Sequence, residues 1–293
     1  MENFKTPERV EVLIGILKDY NSITDELAGH MNGKSLNTIQ KVCNDFMNRT
    51  RINNEALIPI LGIYKTDASL LLPIGLILRS MLSDYLTSSY LITFIHEDDK
   101  DENSIKNELL ILDRDFLRSF LKAMELEKTI HLLNPDFQPT FNDDAEFEAR
   151  LQAIKSNFKV LYKKNDINLK LKEPKDFRET SLDGLFTTQE YSTVGGGFMS
   201  EEYKFDRIKR LGFGKYATAF IPFKYFSQFQ HYSKRGYSLL DDTFGGFGYF
   251  HVVHSLNIIL ISTQFQIEIV AGKGNEFTKK IAALVPKLNG ALG

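Results

Sequence analysis

The sequence predicts an all-α protein, a multi-helix bundle interrupted by an irregular excursion at about 163–200. Apolar residues recur at three- and four-residue spacing through most of the chain, and the apolar–polar alternation of strands is nearly absent. Hydrophobic residues make up 43% and charged residues 25% of 293 positions, enough apolar surface for a large core and too much for a mainly disordered chain. One helical domain over 1–293 is expected. It would comprise N-terminal helices at 1–52, long helices with an acidic turn at 53–162, an irregular insertion at 163–200, and C-terminal helices at 201–293 that complete the bundle.

The elements follow in order. Val10–Leu17 is apolar on one side, and Thr6-Pro7-Glu8 before it supplies an N-cap, a proline suited to the first helical position and an acid in the first turn. A second helix is predicted over Thr38–Asn48. Asn53-Asn54-Glu55 then opens a long helical region reaching Phe94, bent near Pro59 and Pro73, which lack the helix N–H. His96–Asn103 reads as an acidic turn. Ser104–Leu133 carries Ile105, Leu109, Leu112, Phe116 and Phe120 at helical spacing, and Asn134-Pro135 ends it. Asn142–Tyr162 repeats the pattern. From Lys163 to Gly197 the period disappears among mixed charges, Pro174 and three glycines. It returns at Glu201–Lys209, Tyr216–Arg235, Phe247–Val270 and Asn275–Leu288.

Composition excludes several classes. One cysteine, Cys43, permits no intramolecular disulfide and no four-cysteine zinc module. The N-terminus lacks the basic-then-apolar layout of a signal peptide, so a cytoplasmic protein is expected. Ala68–Leu78 is short for a membrane span and is followed by Arg79 and Asp84. Phe244–Ile267 has no charge but contains His251, His254, Asn257, Ser262, Thr263, Gln264 and Gln266, so a helix buried in the bundle is expected rather than a lipid span. The glycine clusters at 195–197, 212–214 and 244–248 match no phosphate-binding loop and are expected to be turns.

The candidate chemistry lies in two apolar stretches. In the first, Arg79 and Ser83 share a helix face, with Ser80, Asp84, Thr87 and Ser88 on an adjoining stripe. A guanidinium inside such a run needs a partner or a water-lined cavity. Arg79 and Asp84 are five residues apart, a poor spacing for an ion pair within one helix, so each is expected to reach across to another helix. In the second stretch Tyr225, Ser227 and His231 stand together, with Ser227 and His231 one turn apart; a neutral imidazole there can act as acid or base near neutral pH. His251 and His254, three apart, have a spacing that can bind a metal, but the Glu-x-x-His arrangement of helical metal sites is absent. Satisfied core histidines, and no metal or cofactor, are expected.

Charge is uneven. Between Tyr203 and Arg235 stand eight basic residues and one acid, Asp206, among ten aromatics. Lys204, Arg207, Arg210, Lys215, Lys234 and Arg235 are therefore candidates for contact with single-stranded nucleic acid, which uses cations beside stacking rings. The competing expectation is a solvated basic face that balances the acidic middle of the chain.

At Arg79-Ser80-Met81-Leu82-Ser83 and Tyr225-Phe226-Ser227-Gln228-Phe229-Gln230-His231 the chain resembles a prokaryotic helical-bundle family of unknown function. That family carries Arg-Ser-x-x-Glu-type and Tyr-x-x-Ser-x-x-x-His-type motifs and is distantly similar to the HEPN group. Ser83 stands where the family motif has its acid, with Asp84 one residue later, and no arginine is followed by histidine at the four-to-six-residue interval of the HEPN ribonucleases. Arg79 without a cancelling charge nearby in sequence, and the lack of any specific catalytic signature, lead to the expectation of a binding or regulatory module with a polar pocket in the bundle, in a defence or stress system. The alternative, suggested by the likeness to the HEPN group, is a metal-independent ribonuclease using His231 and Arg79. Exposed apolar helix stripes make a homodimer the expected assembly, with nucleic acid a possible partner and no membrane.

Overall fold

In the computed structural model the described residues are 5–95, 102–134, 136–163, 170–173, 176–177, 200–211, 218–227 and 245–292. They are overwhelmingly helical, and the fold is an all-α multi-helix bundle. Among them the only extended pairing is an isolated antiparallel bridge between Tyr162 and Leu171. The chain groups into two compact units, one of Met1–Asp98 with Lys204–Gly293, the other of Asp99–Tyr203.

The first unit opens with α1 (Pro7–Met31), where Thr6 in extended conformation caps the helix by accepting from the Arg9 amide and Pro7 occupies the first turn. Asn37 and Gln40 then form a reciprocal capping box at the start of α2 (Thr38–Tyr64). This helix runs unbroken through Arg49–Asn54, where the sequence suggested a boundary. Asn54 does not cap a new helix. It is buried, and its side-chain amide donates to Asn21 Oδ1 of α1 at 3.1 Å, so interhelical packing decides its role. Pro59 likewise lies inside α2 without ending it. The break comes at Lys65–Asp67, where the Thr66 and Asp67 amides return to Ile63 O and the Asp67 carboxylate accepts from the Ser69 amide.

After a short 3-10 turn at Ala68–Leu70 comes α3 (Leu71–Ile92), with Pro73 in its first turn, where a missing N–H is tolerated. The remaining helices of this unit are α6 (Glu201–Arg210, which belongs to it from Lys204), α7 (Phe220–Ser227), α8 (Gly245–Ala271), α9 (Glu276–Ala282) and α10 (Leu284–Gly290). The sequence suggested one helix over Asn275–Leu288. Pro286 explains the split, because its ring opposes the carbonyl of residue 282. Of the helix expected over Tyr216–Arg235, only the α7 portion lies within the described residues.

Helices α2, α3 and α8 pack on one another at the centre. α1 lies on α2, α7 on α3, and α9 and α10 close the other side against α1 and α8. Leu57, Leu61, Leu78, Leu82, Leu86, Val252 and Leu256 fill the interior. Gly248 permits close approach of α8 to α3, since a Cβ there would collide with the Leu71 side chain. One described helix, Gly248–Ala271, is long and apolar enough to cross a membrane, with mean hydropathy 1.2, and 61% of that window is buried inside the structure, as in a core helix.

The second unit contains α4 (Glu102–Leu133) and α5 (Asp144–Asn157), the latter capped by Asp143. Its internal anchor is Arg114, fully buried on α4. The guanidinium donates to Lys172 O at 3.0 Å, to Asp115 at 2.8 Å and to Glu173 at 2.9 Å, so it holds the described part of the irregular segment. Most of the excursion expected at 163–200 lies outside the described residues.

The tight approach at Gly248 makes a simple test. Gly248→Ala should destabilise the protein by about 1–3 kcal/mol through overpacking, and in denaturant melts the same substitution should cost less when made in the Leu71→Ala background, the coupling read from a double-mutant cycle.

Candidate functional site

The candidate residues of the two apolar stretches fall into two clusters in the first unit, both built on α3. Arg79 and Asp84 are separated by five residues, which at 100° per residue puts them about 140° apart around the helix. They therefore meet different neighbours.

Arg79 faces α7. Its Nε donates to Ser227 Oγ at 3.1 Å, and its guanidinium carbon stands 5.0 Å from the centre of the Phe223 ring, a cation–π arrangement. Ser227 passes its own proton to Phe223 O at 2.7 Å, which leaves its oxygen as the acceptor for Arg79. No carboxylate among the described residues forms an ion pair with Arg79. A neutral hydroxyl and a ring suffice because the side chain is only partly buried. Ser80, on the next face, is exposed, and Ser83 is half-buried, with its carbonyl accepting from Thr87 Oγ1 at 2.9 Å.

One residue pair on, α7 meets α8 through aromatic rings. Tyr225 stacks on His251 with ring centres 4.1 Å apart, and Phe226 meets the same imidazole edge-on. His254 stacks on Phe250 at 6.0 Å. His251 is 4% exposed, and burial, with a smaller contribution from the charge of His254, lowers its pKa to about 4. Burial lowers His254 in the same direction. Both are thus neutral at pH 7, placed among rings in the manner of core histidines. Among the described residues no three His, Cys, Asp or Glu side chains gather to hold a metal. His231 lies outside the described residues. Cys43 is buried, and its thiol is pushed up to about 12, so it remains an unreactive SH group.

Asp84 turns the other way, to α2. Its carboxylate accepts from Arg49 Nε at 2.8 Å; the Asp84 side chain is 13% exposed and that of Arg49 60%. Behind this pair is a small recess, with room for about one water-sized sphere, lined on its polar side by Thr50, Asp84, Ser262, Thr263 and Gln266. Phe46, Met81, Tyr85 and Ile259 form the apolar wall. The sequence motifs identified Asp84 but missed Arg49, Thr50, Ser262, Thr263 and Gln266. The signal was present in α8. Ser262, Thr263 and Gln266 interrupt a helix without charges from 248 to 267, and their spacing puts Ser262 and Gln266 one turn apart on a face that must be buried.

Hydrogen bonds around the cavity have a definite direction. Thr263 gives its single proton to Ile259 O at 2.9 Å, so the Tyr20 hydroxyl, 3.1 Å away, must donate to Thr263 Oγ1. Burial keeps that phenol protonated, with its pKa pushed up to about 12, and Thr50 also bonds to it. Ser88 gives its proton to Tyr85 O at 3.0 Å, so Gln266 must present its nitrogen to Ser88 Oγ, at 3.1 Å, and it also reaches Ser262 Oγ at 3.3 Å. The Gln266 carbonyl oxygen has no hydrogen-bond partner among the described residues.

The nucleic-acid candidates are only partly available for contact. Lys204 is buried at 5% exposure and donates to Thr87 Oγ1 at 2.8 Å. Arg207 is 0% exposed, donates to Thr93 Oγ1 at 2.9 Å and lies over Phe94 at 3.9 Å, at the negative end of α3. These two cations serve α3 rather than an open basic face, a correction to the sequence expectation. Arg210 is exposed, and Lys215, Lys234 and Arg235 lie outside the described residues.

Two consequences can be measured. Arg79→Ala should cost about 2–3 kcal/mol, the loss of a charge-assisted bond and of packing on Phe223, whereas Arg79→Leu should cost less because it still fills the space. A histidine held below its unfolded value of about 6.5 contributes stability above that pH and loses it as pH falls toward about 4. Chemical denaturation should therefore show stability declining across that window, and His251→Gln should flatten the decline.

Comparison with protein-family models, with curated proteins and with solved structures gives no match to this chain.

Proposed function

We propose that the protein is a binding or regulatory module whose working site is the polar cavity between α2, α3 and α8. One observation carries this: a carboxylate, three hydroxyls and an amide line one recess between three helices packed on one another. Core positions filled by Leu or Val would stabilise such a bundle without the desolvation penalty of these groups. Their presence is therefore attributed to an occupant. The interior accommodates about one water-sized sphere, which favours a small ligand or the charged tip of a partner's side chain over a nucleotide or an extended metabolite.

The module reading assigns no catalytic role to Arg79, which is engaged by Ser227 and Phe223. The ribonuclease alternative gives Arg79 to a phosphate and His231 to a ribose hydroxyl.

A thermal-shift panel of ions and small polar molecules, run beside an assay on mixed single-stranded RNA, tests the module reading. An occupant at one hundred times its Kd adds about 2.7 kcal/mol, enough to move the melting temperature by several degrees. The shift should vanish in the cavity-filling variant Ser262→Met, and RNA should remain intact. Cleavage lost in both Arg79→Lys and His231→Gln would replace the module by the ribonuclease.

A further inference from the structure

We infer that the outward face of α4 is a dimer interface, on which a second copy of this chain lays its own α4 in a parallel two-stranded coiled coil. The inference concerns α4 alone and is independent of the cavity in the first unit. The helix spans Glu102–Leu133, 32 residues, and its two sides differ. One side is anchored: Ile111, Arg114 and Leu117 are buried, and Arg114 holds Lys172 and Glu173. At 100° per residue, Phe116 lies about 160° away from Arg114, on the opposite side. There Phe116 is 66% exposed, Leu126 58% and Leu133 81%, and Phe120 and Ile130 are exposed as well. The rings of Phe116 and Phe120 stack on each other with centres 6.3 Å apart.

Spacing says what fits this face. From Phe116 the positions Ser119, Ala123, Leu126, Ile130 and Leu133 follow at alternating intervals of three and four residues, and the alternation runs back to Leu112 and Leu109. A 3.5-residue repeat drifts around a 3.6-residue helix, so a straight partner would lose it, whereas two helices that supercoil left-handedly keep it facing throughout. The repeat continues for more than three heptads, as a coiled coil requires. The exposed parts of Phe116, Phe120, Leu126, Ile130 and Leu133 form an apolar area of several hundred Å². Counted on two copies, it reaches the ~1,000 Å² of a specific interface.

Charge selects the second copy and its direction. In a parallel pair Lys122 of each helix lies beside Glu127 of the other, five residues on, at the edge of the seam. Lys122 is exposed and has no ion pair among the described residues. Glu127 accepts from the Thr140 amide and, at 3.2 Å, from the Thr140 hydroxyl; both donors are neutral, so the carboxylate charge is not cancelled. Two-fold symmetry makes the Lys122–Glu127 contact twice. An antiparallel pair that keeps the same apolar positions in contact would set Lys122 against Thr129 and Glu127 against Phe120, with no opposite charges matched. The acids Asp113, Glu125 and Glu127 beside the stripe disfavour a lipid surface, which basic amphipathic helices bind.

Analytical ultracentrifugation of the full chain over a wide concentration range should show a monomer–dimer equilibrium. Phe116→Glu and Leu126→Glu, made at exposed positions, should leave the helical circular dichroism unchanged. Each should raise the dimer Kd about a hundredfold or more, because a dimer carries the substitution twice. Lys122→Glu and Glu127→Lys should each weaken the dimer about three- to tenfold, and mixing the two variants, or combining both changes in one chain, should restore it. Direction is read from Ser119→Cys. Oxidation should join two copies of that variant, because in a parallel pair the position meets itself across the seam. Cys43 is buried, with its thiol pushed up to about 12, and stays out of that reaction.

A strict monomer at every concentration, or a dimer that persists in both Phe116→Glu and Leu126→Glu, would overturn the interface. Should those two variants fold poorly, the charge exchange decides: a dimer indifferent to Lys122→Glu overturns the proposal as well. A dimer that Ser119→Cys fails to cross-link overturns the parallel pairing.

Discussion

The helices packed at the centre of the first unit carry polar side chains out of reach of bulk water, and the surrounding structure is arranged to satisfy them. The hydroxyls of Thr24, Thr87, Ser88, Ser255 and Thr263 turn back to carbonyls three or four residues earlier on their own helices. Those that remain are linked between helices: Asn54 to Asn21, Tyr20 to Thr263, Gln266 to Ser88. A leucine zipper-like seam could slide or rotate with little penalty, whereas each of these bonds exists in one register only. The polar set thereby fixes how α1, α2, α3 and α8 face one another, and the leucines fill what that arrangement leaves.

The two charges of α3 divide this task. Arg79 joins the helix to α7 and Asp84 joins it to α2, on sides of the helix well over a right angle apart. Lys204 and Arg207 of α6 add cations at its C-terminal half, where they meet the hydroxyls of Thr87 and Thr93. Helix α3 is thus held at its middle and at its end by groups whose loss would leave a buried donor or charge unsatisfied, a larger penalty than loss of a methyl group.

Much of the fold was legible in the chain. The 3.6-residue period identified helices at each described stretch, and Thr6-Pro7 and Asn275 marked two starts correctly because capping is a local effect. Boundaries decided by tertiary packing were not legible. Asn53-Asn54 has the composition of a helix start, but burial of Asn54 against Asn21 overrides it. The site was legible in part. An intrahelical pairing of Arg79 with Asp84 was excluded by spacing, and both do reach other helices. The basic run at 203–235 misled because linear charge density does not tell which cations point inward, and Arg207 does. The cavity itself could not be read, since Thr50 and Gln266 are 216 positions apart and neither belongs to a motif.

Gln40 does more than close its capping box. Its side-chain oxygen accepts from the Asn37 amide while its nitrogen reaches Ile269 O at 3.2 Å, among the last carbonyls of α8. The first turn of α2 and the last turn of α8 are therefore secured by one amide group, 229 residues apart in the chain. Helix ends ordinarily fray independently, each on its own timescale. Here a shared side chain couples them, so fraying at either end sacrifices a hydrogen bond to the other, and the two ends act as a latch.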